Sequence, residues 1–170
     1  NSADGDVITK AGDGTTVHAI ELRYDFDDNN WQFNGFDDNS STFKYAKYSQ
    51  ANPELSRWYH LVGVRDGTTI KIYVDGVEGG VTDTLVTLRD SSSFNLLIGR
   101  MLLASDPRYF PGSIDEVRVS NTARDACWID TEHSNQDAPG TFYTVGSQTN
   151  TIPPAYDQDS FRARNDNNDE

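Results

Sequence analysis

Residues 58–81 open as Trp58-Tyr59-His60-Leu61-Val62-Gly63-Val64-Arg65 and meet Asp66-Gly67. They continue as Thr68-Thr69-Ile70-Lys71-Ile72-Tyr73-Val74, meet Asp75-Gly76, and leave through Val77. Two Asp-Gly pairs thus divide runs of β-branched and aromatic residues. That dipeptide tolerates the positive φ of a tight hairpin, so the stretch predicts a three-stranded meander.

The same texture extends in both directions. Short apolar or aromatic runs bounded by Gly, Asn, Asp and Ser predict strands at 7–10, 17–26, 31–36, 42–48, 85–88, 95–99 and 112–120. Residues 17–36 read as a hairpin over Asp27-Asp28-Asn29-Asn30. One short helix or turn is expected within 121–135, where Thr122 precedes Asp125 at capping-box spacing. Phe142-Tyr143-Thr144-Val145 reads as a closing strand. From Gln148 the pattern stops, and Pro153-Pro154 with the Asn/Asp-rich end is linker composition that cannot bury a core. The division is therefore a β domain over 1–148 and an acidic tail over 149–170.

Composition narrows the function. Of 170 residues, 27 are acidic and 14 are Lys or Arg, a net charge of -13. Only six of the acids are Glu, which argues against long helices, since Asp favours turns and caps. A negative field this strong repels phosphate backbones and excludes nucleic acid as a partner. Cations or neutral polar ligands fit better. No apolar run reaches the ~20 residues of a membrane span, so no membrane insertion is expected. No basic-then-apolar leader opens the sequence, although one could have been removed ahead of Asn1. The single cysteine, Cys127, makes no internal disulfide, and no Cys/His cluster has zinc spacing.

The meander, together with Leu97-Ile98-Gly99-Arg100 and Phe110-Pro111-Gly112-Ser113-Ile114-Asp115-Glu116-Val117-Arg118-Val119, resembles the LamG-like jelly-roll family of concanavalin A-like domains. Trp128-Ile129 and Phe142-Tyr143-Thr144-Val145-Gly146 extend the likeness to versions on large bacterial secreted or envelope proteins, over roughly 7–147. The resemblance implies an all-β antiparallel jelly-roll sandwich, extracellular or cell-surface placement, a structural calcium, and binding of glycans or other proteins. Family members begin with two or more strands ahead of the segment that resembles Gly5-Asp6-Val7-Ile8-Thr9-Lys10. Those strands are missing here: either the sequence begins inside the domain, or the missing edge is supplied elsewhere, and a sandwich left open along one edge invites strand addition.

Asp115 is the candidate metal ligand. Regular alternation would place it beside Val117 and Val119, where a carboxylate must be paired, hydrogen-bonded or metal-bound. Calcium, a hard ion with oxygen ligands, suits it, and the matching aspartate of related jelly-roll glucanases helps hold a structural calcium. The plainer alternative is an Asp–Arg pair or a capped bulge. The other acid groups, Asp4/Asp6, Asp25/Asp27/Asp28 and Asp37/Asp38, sit in turn-like contexts and read as solvated turns. His60 reads as a core histidine, while His18 and His133 have no nucleophile partner. Trp58 and Trp128 have structural places in the family pattern. Trp31, Tyr45, Tyr48 and Tyr109 are left without a structural place, with Trp31 and Tyr109 as the candidate ligand-binding aromatics, and Asn39-Ser40-Ser41 matches the glycosylation sequon.

Catalysis is not expected. The E-x-D-x-(x)-E strand of the jelly-roll glucanases does not occur, and the serines lack G-x-S-x-G. The expected function is a non-catalytic extracellular binding or adhesion module, recognising glycans or surface partners. The alternative is a structural subunit of an extracellular oligomer or filament. In that reading the tail would lie on the open edge of its own or a neighbouring copy, anchored by Ile152, Tyr156 and Phe161.

Overall fold

A computed structural model describes residues 5–11, 18–50, 53–80, 82–91, 93–101 and 108–146. The chain divides into two compact units, Asn1–Pro139 and Gly140–Glu170. Ile152, Tyr156 and Phe161 lie outside the described residues.

In the first unit, β1 (Gly5–Ala11), β2 (His18–Asp25), β3 (Asn30–Asp37) and β4 (Thr42–Ser49) form successive antiparallel pairs. The meander follows as β5 (Leu61–Asp66), β6 (Thr69–Val74) and the short β7 (Val77–Glu78). Then β8 (Asn95–Ile98) returns to pair with β1, so the larger sheet has the order β4-β3-β2-β1-β8. β9 (Arg100–Met101) and β10 (Arg108–Tyr109) make a third, two-stranded sheet.

Alternation along the strands builds two unlike faces. Leu22 pairs across from Phe33 and Tyr24 from Trp31, and these side chains turn to the core. The intervening Glu21, Arg23 and Asp25 stand opposite Asn34, Gln32 and Asn30 on the other face. A slip of one residue would exchange the faces, so the apolar set fixes the register. Ile70, Ile72 and Val74 of β6 close the core from the second sheet. Gly63 lets β5 lie on the Phe33 ring, because a Cβ there would sit 2.4 Å from a ring carbon. The result is the expected all-β sandwich.

The meander appears as read. Val74 pairs with Val77 across Asp75 and Gly76, whose φ values of 51° and 79° are the two positive angles of a type I′ turn. The helix is α1 (Ala126–Asp137), and its N-cap is Asp125, not Thr122. Asp125 accepts from the amide of Trp128 at 2.8 Å, which satisfies one of the orphan first-turn donors. Ile129 of α1 is fully buried against Val64 and Tyr73, on the side of the meander away from the main core.

Four expectations need correction. Residues 85–88 form no strand; Leu88 makes an isolated bridge to Asp37. Residues 142–145 begin at the end of a short helix, α2 (Pro139–Phe142), and continue without strand pairing among the described residues. Trp58 is 65 % exposed rather than a core residue. Residues 112–120 alternate like a strand but have no partner strand among the described residues, and Glu116 turns into the left-handed region at φ 51°. Alternation supplies a face, but a strand also requires a neighbour to take its backbone hydrogen bonds.

Candidate functional site: the polar face of the large sheet

The face opposite the core carries Asp6 and Thr9 on β1, Glu21, Arg23 and Asp25 on β2, and Asn30, Gln32 and Asn34 on β3. Most of these side chains are buried. Burial of so many polar groups is tolerable only where they satisfy one another. Arg108, arriving from β10, lies over the centre. Its Nη2 donates to Glu21 Oε1 at 2.7 Å, and its Nε is 3.0 Å from Asp6 Oδ2. Asn34 Nδ2 donates to Glu21 Oε2 at 2.8 Å.

Asp6 and Glu21 are 0 % and 2 % exposed and lie against each other. Burial pushes the Asp6 carboxyl up to about 9, reinforced by its hydrogen bond to Glu21 and by that group's negative charge; Arg108 and Arg23 pull the other way. Asp6 is therefore protonated at neutral pH. The Arg108–Asp6 contact is then a polar contact to a neutral acid rather than an ion pair.

Asp25 is held by several donors. Gln32 Nε2 reaches its Oδ2 at 3.0 Å, and the amides of Asp27 and Asp28 reach its Oδ1 at 3.1 and 3.0 Å. Arg23 pairs with it as well. Asp37 is likewise buried and accepts from Ser40 Oγ at 2.8 Å and from the amide of Thr87 at 2.7 Å. Asp6, Asp25 and Asp37 thus overturn their reading as solvated turns: each is adjacent to a turn in sequence, but strand pairing draws it inside.

Beside this network an open pocket of about 110 Å³ is lined by Glu21, Arg23, Asn34, Phe43, Tyr45 and Arg108. Phe43 and Tyr45 come from β4 and stand across from Phe36 and Asn34 of β3. Lys47 lies over the Tyr45 ring, 5.2 Å from its centre. The pocket therefore joins aromatic surface to fixed hydrogen-bonding groups, all carried on paired strands.

The residues singled out in the sequence do not converge on it. Trp31 is 3 % exposed, its indole N–H donating to Gln50 Oε1 at 3.1 Å, so it is a core residue with no surface to offer a ligand. Tyr109 is exposed, as expected, on β10 next to Arg108. Asp115 is exposed and caps the amide of Glu116 at 2.8 Å. The left-handed turn at Glu116 breaks the alternation that would have set Asp115 among valines. No three His, Cys, Asp or Glu side chains among the described residues are placed to hold a metal ion. The surroundings of Asp115 do not fit a calcium cage.

His60 is half-buried between the meander and α1, with Nε2 3.6 Å from Glu132 and its ring 5.9 Å from that of His133. Burial holds its pKa below the ordinary histidine value, against the pull of Glu132. His133 lies 4.0 Å from Asp75.

Glu21, Arg23 and Asn34 escaped sequence reading, although a signal was present. Glu21-Leu22-Arg23-Tyr24-Asp25 alternates charge with apolar bulk, which marks one polar face on one strand. Arg108 had no such signal, because it reaches the face only through the fold.

Residues 1–130 match Laminin_G_3, of the concanavalin A-like lectin/glucanases superfamily, and the chain belongs to this family. No curated protein matches significantly. Among solved structures, the chain is similar to an S-layer domain-containing protein from Clostridium thermocellum, with 21 % identity and a TM-score of 0.42. That likeness covers 79 % of this chain and 64 % of the other.

Proposed function

We propose that the chain is a non-catalytic, extracellular carbohydrate-binding module whose ligand rests on the polar face of the large sheet. The observation that carries this reading is the pocket in which Phe43 and Tyr45 border Glu21, Arg23, Asn34 and Arg108. A pyranose has apolar C–H faces and an equatorial rim of hydroxyls. Aromatic side chains can cover the first, and the guanidinium groups of Arg23 and Arg108, held from behind by the buried Glu21 and Asn34, can bond the second. The family is one of lectins and glucanases, which agrees with a sugar ligand.

Binding rather than hydrolysis is favoured by the state of the acids. A glycosidase needs two carboxyl groups about 5–9.5 Å apart around the scissile bond. Glu21 and Asp25 are four residues apart on one strand, so about 13 Å separates their backbone positions at ~3.3 Å per residue. Asp6 and Glu21 are in contact and buried, without room for a sugar between them.

A polysaccharide array followed by calorimetry on the best binder tests the reading. Tyr45→Ala and Phe43→Ala should each weaken binding about tenfold, equivalent to ~1.4 kcal/mol, without releasing reducing ends in any sample. Absence of binding across the array, or binding indifferent to both substitutions, would sink it.

A further inference from the structure

An aromatic row runs along the polar face, with a cation over each end. Phe43 and Tyr45 of β4 line the pocket, and Phe36 of β3, paired across from Phe43, continues the row. Phe36 and Phe43 meet edge to face with ring centres 5.0 Å apart, and Tyr45 follows at 6.4 Å from Phe43. Lys47 Nζ is 5.2 Å from the centre of the Tyr45 ring, and the Arg89 guanidinium is 3.7 Å from that of Phe36. Arg23 and Arg108 flank the row where they line the pocket.

Depth separates the charges of this face. Asp6 and Glu21 are buried, whereas Arg23 and Arg108 keep 13 % and 11 % of their side-chain surface and Lys47 and Arg89 keep 28 % and 25 %. Asp6 also holds its proton at neutral pH and adds no negative charge below the arginines. Asp28 and Asp38, in the turns at either end of β3, pair with Lys47 at 2.7 Å and with Arg89 at 2.8 Å. Exposed pairs of this kind are weak and screened by salt, so a ligand carboxylate can take the place of either aspartate.

We propose that the ligand of this face is an acidic oligosaccharide, a chain bearing uronate carboxylates, laid along β4 with its rings over Tyr45, Phe43 and Phe36. The assignment rests on the carbohydrate reading above and adds the charge of the sugar. A neutral glycan needs aromatic faces and hydrogen-bonding groups but has no use for a cation at each end of the row. A uronate offers planar carboxylates, which guanidinium groups match with two parallel hydrogen bonds and an ammonium meets as a point charge. Four residues separate Phe43 from Lys47 on β4, about 13 Å along the strand, so the row is longer than one sugar ring. On a chain of net charge -13 the long-range field repels anions, so such a ligand is held only where cations stand outermost.

Calorimetry on the 170-residue chain tests the proposal. The probes are oligogalacturonate, oligomannuronate and oligoglucuronate, each beside its carboxyl-reduced neutral form. At least one acidic probe should bind about tenfold more tightly than its reduced form, the worth of one charge-assisted hydrogen bond. That ratio should shrink as salt rises. Lys47→Gln and Arg89→Gln should each lower the ratio, and Asp28→Asn and Asp38→Asn, which release those cations, should each raise it. Circular dichroism melts check that every variant keeps the sandwich. Equal affinity for acidic and reduced forms, still weakened by Tyr45→Ala, would overturn the proposal and leave the carbohydrate reading standing. Ratios unmoved by all four substitutions, or tighter binding of a sulfated glycan without carboxylates, would overturn it as well. Silence toward every probe in both forms would end both readings.

Discussion

Asp6 is a neutral acid held under Arg108 and against Glu21, and its protonation makes folding depend on pH. In the unfolded chain it ionises near 3.8; in the fold its proton stays until about 9. The folded state thus binds the extra proton across that window, and stability falls as pH rises through it. Asp6→Asn keeps a donor toward Glu21 and removes the titration. The variant should melt higher than the wild type at mildly alkaline pH, with the advantage shrinking as pH falls toward 4. Thermal melts across that range check this, and equal offsets at both ends would show that Asp6 does not hold the proton. The same residue illustrates why a turn-like sequence misleads. Asp4-Gly5-Asp6 has turn composition, yet Asp6 lies in β1 opposite Arg23.

At the scale of the element, α1 docks on the meander with little help from its own sequence. It has neither acidic residues in its first turn nor basic ones in its last. Such a helix depends on its contacts more than on its propensity. Ile129 supplies the apolar contact against Val64 and Tyr73, and Glu132 and His133 add polar ones to His60 and Asp75. Ile129→Ala should cost about 2–5 kcal/mol in the stability of this docking, the range for truncating a buried branched side chain. The readout is hydrogen exchange over 126–137 beside that of β2 and β3. Fast exchange confined to the helix is expected, while unchanged helix protection would mean that Ile129 is not its anchor. The helix was legible from its capping spacing, but one signal pointed to Thr122 and geometry chose Asp125. Only the residue whose carboxylate reaches the Trp128 amide can serve.

For the whole molecule, the net charge of -13 invites a cation, yet several of the buried or half-buried acids are already engaged by other partners. Asp25 and Asp37 accept backbone and side-chain donors, Asp28 pairs with Lys47, and Asp75 with Arg57. Calcium and magnesium at equal concentration, and EDTA at matched ionic strength, should therefore give the same melting midpoint. Asp115→Ala should leave it unchanged as well. A calcium-specific rise lost in Asp115→Ala would restore the metal site that the alternation of 112–120 suggested.

Sequence alone determined the meander, the β hairpins, the sandwich class and the family likeness. Each rests on local chemistry: Asp-Gly turns with positive φ, and alternation with a period of two that must bury one face. The tertiary structure decided which polar face became buried, because that depends on Arg108 crossing from β10 to Glu21 over a separation of 87 residues. It also sent Trp31 into the core and left Trp58 outside. Those outcomes depend on which segments meet in space, and periodicity along one segment carries no information about its neighbours.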